Sequence, residues 1–327
     1  MEAGYPLQVK PNPPTRLLLS ILHGSRRSTP SCRLAIVKRL LRSLLFFPLS
    51  IADWYARLLS RIRPDWAWAA SDLTYARTSE LVTEVIHKTS GKDVSMSFYT
   101  PNAVCRYRAN TFSSKEPETL AWIDRYGKGG GAFFDVGANV GLYSVYFAKT
   151  QLGTTYAFEP SVLNLALLAK NVSVNELSDR VVIVPTPLTR MNQVSAFHLS
   201  MLDEGGSMST FGADFGHDGK PLIPKLSYDT PGLRLDFLVE SGIVPEVPQL
   251  MKIDVDGIEH YILGGATGVL SAPELRSILI EVNEDFRELA EEVSTLLSAA
   301  GFIETARDLL AESGRFSATY NQIWVKN

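Results

Sequence analysis

Beyond residue 132, short and largely apolar runs recur at 133–136, 154–158, 181–184, 250–255 and 277–281. Between most of them, apolar residues return every three or four positions. Leu142, Val145, Tyr146 and Ala148 form one such set, Leu163, Leu167 and Leu168 a second, and Tyr261 and Leu263 a third. Runs of four to six with no polar face predict strands buried on both sides; the spaced sets predict the helices that bury them. A further helix is expected from about residue 284, capped by Asn283 and ended by Gly301. Residues 302–305 and 319–325 predict a closing antiparallel pair. The alternation is that of a doubly wound α/β domain.

The chain before residue 132 has a different texture. Residues 1–31 are rich in Pro, Ser and Arg and predict little order, and the apolar run 17–22 is too short for a secretory signal. In residues 33–63, Leu34, Val37, Leu41, Leu44 and Leu45 recur at helical spacing, Pro48 interrupts, and Ile51, Trp54, Tyr55, Leu58, Leu59 and Ile62 resume it. From 79 to 87 the sequence predicts a short helix. Residues 94–99 and 104–108 predict a hairpin about Pro101-Asn102. Ser113 and Glu116 predict a capping box for a helix over 118–126, with Pro117 in its first turn. The division expected is therefore 1–63, a basic amphipathic extension; 64–131, a connector with hairpin and lead-in helix; and 132–327, the main domain.

Charge sharpens that division. Residues 1–63 carry eleven Lys or Arg against Glu2 and Asp53, whereas the remaining chain has 21 bases against 33 acids. A basic amphipathic helix with aromatics suits the surface of an anionic membrane, and its apolar run is far short of the ~20 residues that span a bilayer. Its apolar face can equally pack on the main domain or on a second copy. The bases are interleaved with bulky aliphatics rather than gathered on a polar face, which argues against nucleic acid. Two cysteines, Cys32 and Cys105, give no disulfide framework, so the reading is a cytoplasmic protein, with a peripheral place at the inner membrane face as one of the two options for residues 33–63.

The chemistry starts where the first strand ends. Asp135, Gly137, Ala138, Asn139 and Gly141 form a D-x-G-x-N-x-G turn into a helix. A dinucleotide site wants three glycines in G-x-G-x-x-G and no acid competing with the pyrophosphate. S-adenosylmethionine has no phosphate, and its sulfonium and ammonium favour a nearby carboxylate. Glu159 follows at the end of the second strand, eighteen residues beyond Gly141, where an acid bonds ribose hydroxyls. A second cluster, Lys252-Ile-Asp254-Val-Asp256-Gly-Ile-Glu259-His260, closes the fourth strand. If that strand adjoins the first, Asp254 and Asp256 face the same crevice, on one side if the strand persists so far. No His/Cys spacing supports a transition metal, so no metal is expected.

With these segments quoted, the chain resembles the FkbM family of S-adenosylmethionine-dependent methyltransferases. The resemblance rests on Lys115–Thr119, Phe134–Ser144, Phe158-Glu-Pro160, Lys252–Glu259, Ile280-Glu-Val282 and residues 321–326 in that order, and covers roughly residues 94–327. It implies a Rossmann-like domain with a mostly parallel seven-stranded sheet, and O-methylation of a hydroxyl on a sugar, glycan or secondary metabolite. Asp135, Gly137, Ala138, Asn139 and Gly141 match the family's donor-binding motif and Glu159 its ribose acid. Asp256 stands where the second signature usually has Glu.

Transfer to a neutral hydroxyl needs little beyond placement and a base. Asp254, Asp256, His260, Glu281, Asp203 and Glu204 are the candidates, with Asp254 favoured because it ends the strand beside the donor. The loop 202–225, rich in Gly, Ser and Asp, is expected to be a flap facing the acceptor. The alternative is a catalytically silent member acting as a membrane-associated assembly partner.

Overall fold

The computed structural model describes residues 75–89, 91–309 and 318–327, with residues 51, 54, 55, 58, 61–63 and 72 before them. The readings made on 1–50 lie outside the described residues. Residues 75–327 form one compact unit.

Its framework is a seven-stranded sheet. The strands are β3 (Ala132–Val136), β4 (Thr155–Phe158), β5 (Val181–Val184), β9 (Pro248–Ile253), β10 (Ser277–Asn283), β11 (Phe302–Leu309) and β12 (Thr319–Lys326). Their spatial order is β11-β12-β10-β9-β3-β4-β5. All neighbours are parallel except β12, which pairs antiparallel with both β10 and β11. The chain leaves β3 toward β4 and β5, then returns to the other side of β3 through β9. A crevice opens where the two directions diverge, at the carboxyl ends of β3 and β9.

Period-two alternation splits the core into two layers. Phe134, Met251, Ile278 and Ile280 face α5 (Leu235–Glu240), α6 (Glu259–Gly264), α7 (Thr267–Ser271) and α8 (Arg287–Ala299). Phe133, Leu250 and Leu279 face the other way, toward α2 (Pro117–Tyr126) and α3 (Leu142–Thr150). Trp122 of α2 ties that layer down by donating from Nε1 to Ser277 Oγ at 2.8 Å. Helix α4 (Val162–Val174) follows β4.

The lead-in differs from the sequence reading. Residues 82–88 are a strand, β1 (Val82–Lys88), paired antiparallel with β2 (Asp93–Tyr99); only 75–79 are helical. The β-branched residues Val82, Thr83, Val85 and Ile86 were the overlooked signal. Residues 104–108 are not β2's partner but part of α1 (Ala103–Lys115), started by Asn102, whose Oδ1 accepts from the Cys105 N–H at 2.9 Å. Cys105, Ala109 and Phe112 then bury one helical face. The expected capping box is absent: Ser113 lies inside α1 and meets His87 Nδ1, and α2 starts at Pro117 with no side-chain cap. Asn283 does not cap α8, which begins at Arg287; its Oδ1 accepts from the Asp285 N–H instead.

The stretch after β5 is also more ordered than a bare flap. The strands β6 (Gln193–Leu199), β7 (Ser209–Phe211) and β8 (Leu226–Gly232) form a small antiparallel sheet in the order β7-β6-β8. Phe197, Leu199, Phe211 and Ile258 pack together beneath it. Among the described residues, no helix is long and apolar enough to cross a membrane.

Candidate active site

The loop after β3 is shaped by three residues with positive φ: Gly137 at 83°, Asn139 at 51° and Gly141 at 83°. The Gly137 and Ala138 N–H groups both donate to the Phe158 carbonyl at 3.0 Å, stitching the loop to the end of β4. A methyl on Gly137 would lie 1.9 Å from the Asp254 carbonyl oxygen, so only glycine lets this loop rest on the end of β9. Asn139 takes the left-handed conformation that side-chain amides tolerate. Its N–H donates to Glu159 Oε2 at 2.8 Å and its Nδ2 to the Gly206 carbonyl at 2.8 Å.

These elements enclose a cavity of about 200 Å³. Its wall includes Gly137, Asn139, Phe158, Glu159, Pro187 and Leu188 together with Arg108, Lys115, Glu116, Tyr143, Asp254 and Glu281, and residues 206–211 line it as well.

Glu159 is buried, and each oxygen is engaged: Oε2 with the Asn139 N–H and Oε1 with the Ser161 N–H at 2.7 Å. Burial raises its pKa to about 7 against those hydrogen bonds. Asp256 has left the strand. Its φ is 62°, and its Oδ2 accepts from the Met208 N–H at 2.6 Å and the Ser209 N–H at 3.2 Å. Burial and the Asp254 charge push it up to about 6. The expectation that Asp254 and Asp256 share one side of a continuing strand is thus corrected: β9 ends at Ile253, and the two reach the cavity by different routes.

Lys252 is the last residue but one of β9, with 2% of its side chain exposed. Its Nζ meets Asp254 Oδ2 at 2.6 Å and lies 5.1 Å from the centre of the Tyr143 ring. Burial disfavours the ammonium, but Asp254, Glu116 and Asp135 outweigh it and keep Lys252 charged. Burial likewise pushes Asp254 up; Lys252, Lys115 and Arg108 reverse this and hold its carboxyl below the ordinary range. Glu116, at the α1–α2 junction, accepts from Lys115 Nζ at 3.0 Å on Oε1 and from the Tyr143 hydroxyl at 2.8 Å on Oε2.

Three of the expected donor and catalytic residues, Asp135, Gly141 and His260, are not on the wall. Asp135 pairs with Lys252 across β3 and β9, but it is 1% exposed and lies behind the Gly137 turn, bound by the Ser144 hydroxyl at 2.6 Å. His260 is 3% exposed, packs against the Tyr261 and Phe286 rings, and is not among the cavity's lining residues. Conversely, sequence reasoning missed Arg108, Lys115, Glu116, Tyr143 and Asn164 as site residues, and it gave Lys252 no role. A lysine inside an otherwise apolar strand was a usable signal, since such a charge is buried only with partners.

The lid is held from several sides. Asn164 Oδ1 accepts from the Gly205 N–H at 2.9 Å, and its Nδ2 donates to the Gly206 carbonyl at 3.3 Å. Arg108 Nε donates to the Gly205 carbonyl at 2.8 Å, and Asn102 Nδ2 to that of Glu204 at 3.0 Å. Asp203 and Glu204 thus belong to the anchored part of the loop.

A glycine turn on the diverging strands, an acid at the end of β4 and an acid-rich crevice beside them form one constellation. The family model of the methyltransferase FkbM domain matches residues 135–304. The 31-O-demethyl-FK506 methyltransferase FkbM of Streptomyces tacrolimicus is 28% identical over 197 residues, 54% of this chain and 74% of that protein. Among solved structures, methyltransferase FkbM from Methylobacillus flagellatus KT aligns over 68% of this chain and 53% of its own, with 14% identity and a TM-score of 0.41. Precorrin-6y C5,15-methyltransferase from Geobacter metallireducens GS-15 aligns over 65% and 87%, with 14% identity and a TM-score of 0.39. With more than half of its length matched, and the matched segment containing the turn, Glu159 and the β9 cluster, this chain belongs to the FkbM methyltransferase family.

Proposed function

We propose that the protein is an S-adenosylmethionine-dependent O-methyltransferase whose acceptor is a hydroxyl of a sugar, glycan or secondary metabolite. The observation that carries this reading is the cavity at the divergence of β3 and β9, whose lining brings a glycine turn, a ribose-type acid and apolar residues together with further acids and bases that a second substrate could use. The residues present fit the donor. Thr210 Oγ1 is buried on the wall with no partner among the described residues, a polar atom placed to meet a ligand. Glu159 and Asn139 would hold the ribose, Phe158, Pro187 and Leu188 the adenine, and the surrounding carboxylates the positive charge.

When bound, S-adenosylmethionine supplies an activated methyl group. The chain's own work is to dehydrate the acceptor hydroxyl beneath residues 206–211, to align it, and to hold its proton. Residues 206–211 line the cavity together with Glu159 and Asp254, so a closed lid would exclude water from it. The test is direct. Calorimetry with S-adenosylhomocysteine should show one site per chain. Methyl-labelled donor should transfer label to at least one member of a panel of methyl glycosides, lipid-linked sugars and 31-O-demethyl-FK506. No heat with S-adenosylhomocysteine discards the reading; protection by a dinucleotide instead replaces it.

A peripheral contact with anionic membranes is part of the same reading. Ile51, Trp54, Tyr55, Leu58 and Ile62 occupy helical positions and are 40–67% exposed. At about 100° per residue they fall in one arc roughly 100° wide, with Arg57, Arg61 and Arg63 outside it. An exposed Trp/Tyr-bearing stripe in a basic segment is the composition that lies in a headgroup layer. Flotation with phosphatidylserine vesicles should carry the full chain. Equal flotation of a chain starting at Pro64 discards the contact.

A further inference from the structure

We propose that Glu281 is the general base for the acceptor hydroxyl, and that Asp254, held ionised by Lys252, is a positioning residue. The proposal rests on the methyltransferase reading above and changes which acid carries the proton.

Five carboxylates line the cavity: Glu116, Glu159, Asp254, Asp256 and Glu281. Four are committed. Glu159 and Asp256 accept from backbone N–H groups, and protonating them would strand buried donors at about 1–3 kcal/mol each. Glu116 bridges Lys115 and Tyr143, and Asp254 is bound to a buried ammonium. Glu281 alone of the five accepts no hydrogen bond from a described residue.

Its place is set by register. Leu279 pairs with Lys252 across β10 and β9, and Lys252 with Asp135 across β9 and β3. Glu281, two residues beyond Leu279, therefore stands on the same sheet face, one step closer to the open end and level with the turn after β9. The groups facing it are Asp254, Asp256 and Lys252 from β9 and its loop, and Glu116 with Lys115 from the α1–α2 junction. Burial, then Asp254, Glu116 and Asp256, push its pKa well above the ordinary range, against the opposing Lys252. A carboxylate so placed takes a proton more readily than an ordinary glutamate, as a base must. Asp254, pulled below its ordinary range, takes one less readily.

The step balances. The acceptor oxygen forms a bond to the methyl carbon, and the carbon–sulfur bond breaks with its electron pair left on sulfur, which becomes a neutral thioether. The hydroxyl proton passes to a Glu281 oxygen and then to solvent. Because the base must be ionised, turnover rises with pH until Glu281 is deprotonated.

The test compares the full chain with Glu281→Gln and Asp254→Asn. The first arm needs no acceptor: infrared difference spectra over pH 5–9. Glu159, Asp256 and Glu259 contribute protonated-carboxyl absorption in every variant; the expected result is one further component, missing from Glu281→Gln and kept in Asp254→Asn. The second arm uses labelled donor with methyl glycosides as acceptor probes. Glu281→Gln is expected to lose roughly 10²–10⁴-fold in kcat together with the rising pH limb. Its S-adenosylhomocysteine affinity should stay within about threefold, which also shows that it is folded. Asp254→Asn keeps the pH limb and raises KM for the acceptor. The proposal is overturned by a protonated-carboxyl spectrum that is unchanged in Glu281→Gln, or by a pH limb lost in Asp254→Asn and kept in Glu281→Gln. Failure of the unsubstituted chain to bind S-adenosylhomocysteine would sink the methyltransferase reading itself, a separate outcome.

Discussion

A lysine with 2% of its side chain exposed needs anions around it, and Lys252 has Asp254 beside it and Glu116 and Asp135 in its field. Removing the cation alone leaves those carboxylates buried without compensation, a change of about 3–5 kcal/mol. Lys252→Met is therefore expected to lower the urea midpoint sharply at pH 7–8, with the loss shrinking below pH 4 as the acids protonate. A constant loss across that range would show that packing, not charge, holds the residue. At Gly137 the argument is steric. An added Cβ would sit 1.9 Å from the Asp254 carbonyl, at a φ of 83°. Gly137→Ala should abolish donor binding by calorimetry and lower Tm by several degrees, since the loop must lift off β9.

At the level of elements, the loop over the cavity behaves as a clasp whose two ends are different chemistry. Asn164 holds residues 205–206, and Asp256 holds 208–209. Asn164→Ala removes two hydrogen bonds and should lower the local opening free energy by about 1–3 kcal/mol. Hydrogen exchange at 203–209 would then quicken about tenfold or more while the central strands stay protected; unchanged exchange refutes the clasp. The same loop shows why part of this site was hidden in the sequence. Its anchors Asn102, Arg108 and Asn164 come from α1 and α4, about 40 to 100 residues away, and no local pattern announces a partner so distant. The parallel strands were legible because Phe133, Leu250 and Leu279 belong to runs that only a doubly covered sheet buries. The lead-in was misread because 79–87 and 104–108 satisfy both periods loosely. The β-branched residues of β1 and the Asn102 cap of α1 decided between them.

The whole molecule carries an excess of raised carboxyl groups. Glu159 and Glu259 are moved to about 7 and Asp256 to about 6, in each case chiefly by burial. Their folded values lie above their unfolded ones, so between pH 4 and 7 the folded state binds more protons. That contribution to stability is complete below the unfolded values and is lost as pH rises through 6–7. Each tenfold gain in proton affinity on folding is worth about 1.4 kcal/mol, so Tm should fall by about 4 °C or more between pH 5 and pH 8. A flat or rising profile in a thermal melt series contradicts this. S-adenosylmethionine, a cation at the sulfonium, should recover part of the loss at pH 8.

Asn139 is bound by its backbone to Glu159 and by its side chain to Gly206, and so belongs to the floor and the roof together. On the proposed reading, a donor seated against Asn139 would support the roof above it, and the expected order is donor first, acceptor second, methylated product out before the spent thioether. Product-inhibition kinetics would record that order as competition between S-adenosylhomocysteine and S-adenosylmethionine alone.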